Sequence, residues 1–280
     1  MNIRTINNKI KTLVVDMFFK TTSESLRSGL KGVGIEEGDV LMLHSSWMPN
    51  NGFKEPPVNF IRVIQSVITG SGVLMMPSLP YQNESTKAFL ERDGVFNVRR
   101  SPSRMGLLTE VFRRNREVHR SLSPTHSILA WGERAEEFLQ DHEKAEVPFG
   151  RGTPFEKLLQ ENGKILTVDA PFSTITFTHF LEDRISSILP FPLYEEAVRQ
   201  GVTIDYAGNR INVPVKVISD RANELRREKR LVDELESRRL IRRQRVGNIQ
   251  LLLLNAKDMT DCVDRMVEKG NLFFDSSESN

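Results

Sequence analysis

Four short apolar runs constrain this chain more than any other feature. Val40–Leu43, Val73–Met76, Ile165–Val168 and Leu251–Leu254 are aliphatic or methionine side chains with at most one polar member each. Runs of that length are too short for helices and read as strands buried on both faces. The segments between them have helical spacing. Leu26, Leu30 and Val33 repeat between Thr22-Ser-Glu-Ser and Gly34, and Val58 to Val67 ends before Gly70-Ser-Gly72. Hydroxyl residues before such a pattern and glycine after it are start and stop signals. This alternation predicts a layered α/β domain. Met105–Arg114 and Glu133–Gln140 read as helices around a strand at Ser127–Trp131, and Ala256–Glu268 as the last helix. Val202 to Val217 alternates apolar and polar residues around Gly208-Asn209, the pattern of a hairpin. Leu79 to Arg104 shows no periodicity and reads as a long loop, a type of segment that usually carries function.

With 39% hydrophobic and 27% charged residues in 280, the chain can bury a core, and global disorder is excluded. A single cysteine, Cys262, rules out a disulfide framework and a multi-cysteine zinc site. The five histidines form neither HxH nor HExxH, so no metal is expected, and neither GxxxxGK[ST] nor GxSxG occurs. The first twenty residues have no long apolar stretch and no small-residue cleavage site. A cytoplasmic protein without a membrane partner is therefore expected. Net charge is +2, but Arg226–Arg245 holds nine basic and four acidic residues, a local +5 that leaves −3 for the rest. That window reads as a solvated helix with Leu225, Val232 and Leu235 on its buried face; the sharper alternative is a basic edge for a phosphate-bearing ligand. With three Tyr and two Trp and no aromatic interleaving, nucleic acid is not expected as a partner.

The stretch from Thr174 to Asp183 follows a strand and Pro171, where an α/β domain presents its site. A helix starting near Thr176 puts His179 and Glu182 three apart on one face. The carboxylate would fix the imidazole tautomer and raise its basicity, and histidine suits proton transfer near neutrality. The same spacing also fits a surface helix with an incidental histidine. His44-Ser45-Ser46 ends one strand, and Ser121-Leu-Ser-Pro-Thr-His126-Ser127 leads into another. Both offer hydroxyls and N–H groups to a polar ligand or a developing oxyanion, and both also fit ordinary serine-rich turns.

The strings LMLHSS, VLMMPS, SPSRMGLLTEVFRR, RSLSPTHSILAWG, PFGRGTPFEKLL, GKILTVD and TFTHFLED occur in that order. Their succession resembles the aminoglycoside 3-N-acetyltransferase family, most clearly over residues 22–190. The resemblance implies an α/β/α sandwich around a mixed sheet with a smaller C-terminal hairpin and helix lobe. It also implies a single acyl-CoA-dependent N-acyltransferase domain over 1–280, with an acceptor lobe in 191–250. It implies transfer of an acyl group, usually acetyl, from coenzyme A to the amine of a sugar-like acceptor. Carried over by motif, His179, Glu182 and Thr176 would be catalytic. His44, Ser45, Ser46, Ser78, Arg120, Ser121, Thr125 and Ser127 would line the coenzyme channel, and Asp169 and Tyr81 would meet the acceptor. Amides near Ser45 and Ser46, together with a Ser hydroxyl, would receive the oxyanion, and the acyl group would pass directly to the amine.

Two departures stand out: Ser123-Pro124 where many members have His-Pro, and Val168-Asp169-Ala170-Pro171 where they have a Gly-rich turn. The basic pI of about 8.7 and the basic window favour an anionic acceptor, a nucleotide-linked amino sugar of surface polysaccharide synthesis. An aminoglycoside antibiotic is the alternative, and an inactive binding module the third reading.

Overall fold

The computed structural model describes residues 15, 17, 19–48, 50–92 and 94–276. The reading of the N-terminal segment through residue 14 lies outside them. Seven strands form the main sheet: β1 (Val40–Ser45), β2 (Val73–Pro77), β4 (His119–Arg120), β5 (Ile128–Trp131), β6 (Lys164–Val168), β9 (Arg242–Val246) and β10 (Ile249–Asn255). Their order is β4-β5-β2-β1-β6-β10-β9. The centre, β2-β1-β6, is parallel, with Val40 opposite Val73 and Ser45 opposite Val168. Antiparallel β5 and β10 flank it.

The parallel centre explains the unbroken apolar runs, because both of its faces are covered. Leu41, Leu43, Leu74 and Leu166 pack under α1 (Ser23–Val33), α2 (Pro57–Ile68) and α4 (Leu107–Arg113). Met42, Met75 and Ile165 pack on the other face, under α5 (Ala135–Leu139), α6 (Pro154–Gln160), α7 (Phe177–Arg184) and α10 (Ala256–Glu268). The result is the expected α/β/α sandwich. Local signals set its helix ends: Thr22 caps α1 in a reciprocal box with Ser25, and Gly34, at φ 111°, closes it with its N–H on the carbonyls of Leu30 and Lys31.

A second sheet, in the order β3-β7-β8, joins β3 (Val95–Asn97) to the hairpin of β7 (Arg199–Ile204) and β8 (Arg210–Val215). The turn is where the sequence marks it: Gly208 has φ 93°, and Asp205 Oδ1 accepts from the amides of Ala207 and Asn209. Tyr81, Phe89, Leu90, Val213, Val215 and Val217 form a small core beneath it.

Two expectations need correction. Residues 79–104 are not one loop, since they hold α3 (Thr86–Arg92) and β3. A three-residue strand has no period of its own; it exists through its pairing with β7, a hundred residues away. The basic window is not one helix either. It begins after α8 (Asp220–Leu225), forms α9 (Glu228–Ser237), turns at Arg239 with φ 57°, and ends as the edge strand β9. Leu231 and Leu235 are buried in α9, while Val232 is only half-buried. Arginines on an edge strand keep it from pairing with other chains, and they look like a helix surface in sequence. Residues 191–250 are thus divided between the two sheets. Among the described residues, no helix is long and apolar enough to cross a membrane.

Candidate active site

The C-terminal ends of β1, β2 and β6 converge, and β6 leads through a short turn at Phe172–Thr174 into α7. The turn spacing of α7 brings His179 Nδ1 to 2.9 Å from Glu182 Oε2. Glu182 is fully buried, and Arg226 grips it from the far side: Nε donates to Oε1 at 2.5 Å and Nη2 to Oε2 at 2.9 Å. Burial alone pushes the Glu182 carboxyl up; His179 and Arg226 more than reverse this, leaving it below the usual carboxylate range. The His179 ring remains 27% exposed and lines a cavity of about 260 Å³. With Nδ1 engaged by the carboxylate, Nε2 is the nitrogen left for a substrate.

Tyr81, His126 and Phe149 share that cavity. The Phe149 ring lies between two imidazoles, 4.9 Å from His179 and 4.4 Å from His126. His126 Nδ1 meets Thr125 Oγ1 at 3.0 Å, and the Tyr81 hydroxyl lies 3.5 Å from Nε2. Burial, helped by His179 and His142, pushes the His126 pKa well below the ordinary value, so this ring is neutral near neutral pH. The structure places Tyr81 and His179 in the wall of the same cavity. It adds His126, Phe149 and Arg226, which sequence reasoning missed. His126 and Phe149 sit inside strings already quoted for the resemblance. Arg226 is 44 residues from Glu182, and no spacing rule reports it.

The remaining candidates divide. Thr176 precedes α7, and its carbonyl accepts from the His179 amide at 3.1 Å, while its hydroxyl is buried without a partner. Ser45 Oγ, Ser78 Oγ and His44 Nε2 are likewise buried and unpartnered. Burial pushes the His44 ring down to about 3. Orphaned buried polar atoms cost about 1–3 kcal/mol each, so their presence at two strand ends and the start of α7 suits a polar ligand there. The Ser46 amide is a correction. It donates to the Val168 carbonyl at 2.9 Å, is committed to the sheet, and is not free for an oxyanion.

Arg120, Ser121, Thr125 and Ser127 are all buried; the side chains of Arg120, Ser121 and Ser127 bond within the fold, and Thr125 bonds His126 in the cavity wall. Arg120 donates to the carbonyls of Ser101 at 2.6 Å and Ser78 at 2.5 Å and to Ser127 Oγ at 3.1 Å, with its guanidinium 4.5 Å from the Phe96 ring centre. Ser121 Oγ accepts from the Ile128 amide and meets His142 Nδ1, both at 2.9 Å. Asp169 is also separated from His179. It has φ 52°, its carboxylate accepts from the Gln250 amide at 2.8 Å, and it lines a different cavity. That cavity, about 1150 Å³, lies between Met48, Asn50 and Asn51, the end of β6 and the β9–β10 hairpin. Arg243, Arg245 and the buried Asn51, whose Nδ2 has no partner, stand in its wall. Among the described residues, no group of three or more His, Cys, Asp or Glu is placed to hold a metal ion.

Comparison with known proteins places the chain and its fold. The family model described as aminoglycoside 3-N-acetyltransferase matches residues 42–268. The chain is 27% identical over 217 residues to the SPbeta prophage-derived aminoglycoside N(3')-acetyltransferase-like protein YokD of Bacillus subtilis (strain 168), covering 72% of this chain and 77% of YokD. It is 25% identical over 182 residues to aminoglycoside N(3)-acetyltransferase III of Serratia marcescens, covering 61% of this chain and 66% of that one. The structure of AAC-IIIb in binary complex with CoASH superposes with a TM-score of 0.73 at 22% identity, covering 92% of this chain and 99% of that one. The chain belongs to the aminoglycoside 3-N-acetyltransferase family.

Proposed function

We propose that this enzyme transfers the acetyl group of acetyl-CoA to an amine of a polycationic amino-sugar acceptor of the aminoglycoside type. The observation that carries the reading is the carboxylate-held His179 in a cavity whose wall includes Glu84, Glu195 and Asp220 against Lys87 and Lys216. The lining holds three carboxylates to two lysines; Glu195 pairs with Lys87 at 3.1 Å and with Arg199 at 2.8 Å, and Glu84 with Arg92 at 3.0 Å. Carboxylates around a cleft concentrate a cationic ligand. The case for an anionic, nucleotide-linked acceptor came from whole-chain charge, and the local charges do not support it. Arg227 and Arg230 pair with Asp275, Lys229 with Asp233, Arg238 with Glu234 and Arg243 with Glu236. Arg245, in the wall of the larger cavity, bonds neutral groups, the Gly247 carbonyl and Asn248 Oδ1, and its charge suits the phosphates of coenzyme A.

In the reaction, the acceptor ammonium must first lose a proton, because it has no lone pair to attack with. His179 Nε2 takes a proton as the N–C bond forms; the C–S bond then breaks, its electron pair leaving with sulfur, and the proton held by His179 passes to it to give the coenzyme thiol. Such base assistance is worth about 10²–10⁴ in rate. The Ser46 amide, bonded to the Val168 carbonyl, is not available to the developing oxyanion. The test is thiol release from acetyl-CoA with a panel of aminoglycosides beside nucleotide-linked amino sugars. Release with aminoglycosides is expected. Release only with the nucleotide sugars, or with neither panel, would overturn the acceptor assignment.

A further inference from the structure

A fully buried carboxylate stays ionised only beside a positive charge. Glu182 has two partners that supply one, the His179 ring when protonated and the Arg226 guanidinium. They are not equivalent. An imidazole that serves as the sole counter-ion holds its proton more tightly, and a base already carrying a proton cannot take another. A guanidinium keeps its charge throughout the working range. We infer that Arg226 is a positioning residue that supplies Glu182 with a permanent counter-charge, so that the buried carboxylate does not depend on a proton held by His179. This rests on His179 being the base proposed above.

The geometry fits that role. The guanidinium fork spans both carboxylate oxygens, and Oε2 is shared with His179 Nδ1. A carboxylate gripped at both oxygens cannot rotate away, so it keeps the proton on Nδ1 and the lone pair of Nε2 toward the cavity. Arg226 is held in turn: Nη1 donates to Asn223 Oδ1 at 2.7 Å, its amide to the Ala222 carbonyl at 3.1 Å, and its backbone bridges to Phe274. The other titratable groups facing the pair are Glu228, Tyr194 and the neutral His126, with Asp183 bound to Tyr194 and Lys216 acting on Asp183. None of these donates a hydrogen bond to Glu182 among the contacts described. The permanent counter-charge therefore falls to Arg226.

The experiment compares the full-length enzyme with R226Q, R226K and H179Q, measuring kcat and KM for acetyl-CoA and the pH profile of kcat/KM for the acceptor. In R226Q the acid limb should move up by about one unit, so activity on the acid side of the limb falls about tenfold and recovers at higher pH, while KM for acetyl-CoA stays within about twofold. R226K keeps the charge and should keep the limb where the wild-type enzyme has it. H179Q should be slowed by at least about a hundredfold at every pH; activity within a few-fold of wild type in H179Q would sink the base assignment itself. Loss of activity in R226Q by the same factor at all pH values, or a limb displaced as far in R226K as in R226Q, would overturn the role of Arg226.

Discussion

Arg120 and Glu182 are both charges taken out of water, and the protein treats them in opposite ways. Arg120 is 3% exposed and is satisfied by neutral, fixed atoms: two carbonyls, a serine hydroxyl and the face of Phe96. Burial lowers its pKa to about 9, so it remains a cation at neutral pH, locked between β2, β5 and the 97–101 turn. Glu182 is 0% exposed and is satisfied by two charged or chargeable groups, one of which opens onto a cavity. A buried ion ringed by neutral carbonyls is a staple. When its partner can itself gain or lose a proton beside open space, the ion can drive chemistry.

Substitutions at the two centres should therefore separate cleanly. The largest effect is expected from Glu182→Gln. An amide in place of the carboxylate would donate to Nδ1 and reverse the imidazole tautomer, lowering turnover by about 10²–10⁴ with little change in acetyl-CoA affinity, read by steady-state kinetics and calorimetry. Arg120→Met should leave the turnover of folded enzyme near wild type and lower unfolding free energy by about 2–4 kcal/mol in a denaturant titration, because each buried group left unpaired costs about 1–3 kcal/mol. If Arg120→Met instead abolished activity at full stability, the staple reading would be wrong.

Acid should act through the buried histidines. Burial lowers His44 to about 3 and His142 to about 4, and His126 well below its ordinary value. The unfolded chain then binds more protons below about pH 6.5, so stability is full above that value and falls as pH drops toward 4, by up to about 2 kcal/mol per ring at pH 5. A melting temperature flat from pH 7 to 5 would contradict this. The smallest change is Ser127→Ala, which removes one hydroxyl from the Arg120 cage and should cost about 1 kcal/mol without altering KM.

What could be read from residues alone were the features with local causes. The Thr22 box and Gly34 bound α1, the apolar runs mark the parallel centre, Gly208 marks the hairpin, and the spacing of His179 and Glu182 puts them on one face of α7. Features made by distant pairing were not legible. β3 depends on β7, β9 depends on β10, and Arg226 reaches Glu182 only because α8 folds back beside α7. Hydroxyls in RSLSPTHS read as ligand donors because sequence does not reveal which way a side chain points; the fold turns those of Ser121 and Ser127 inward. Charge failed for a related reason. Composition counts arginines, but the field at a site depends on which of them are already paired.

The central claim is that His179 takes the proton from the attacking amine. It is tested most directly by His179→Gln, with single-turnover acetyl transfer and acetyl-CoA affinity measured on the same preparation. The account predicts transfer slowed by at least about a hundredfold with coenzyme affinity unchanged within a few-fold. Transfer within a few-fold of the wild-type rate would contradict it.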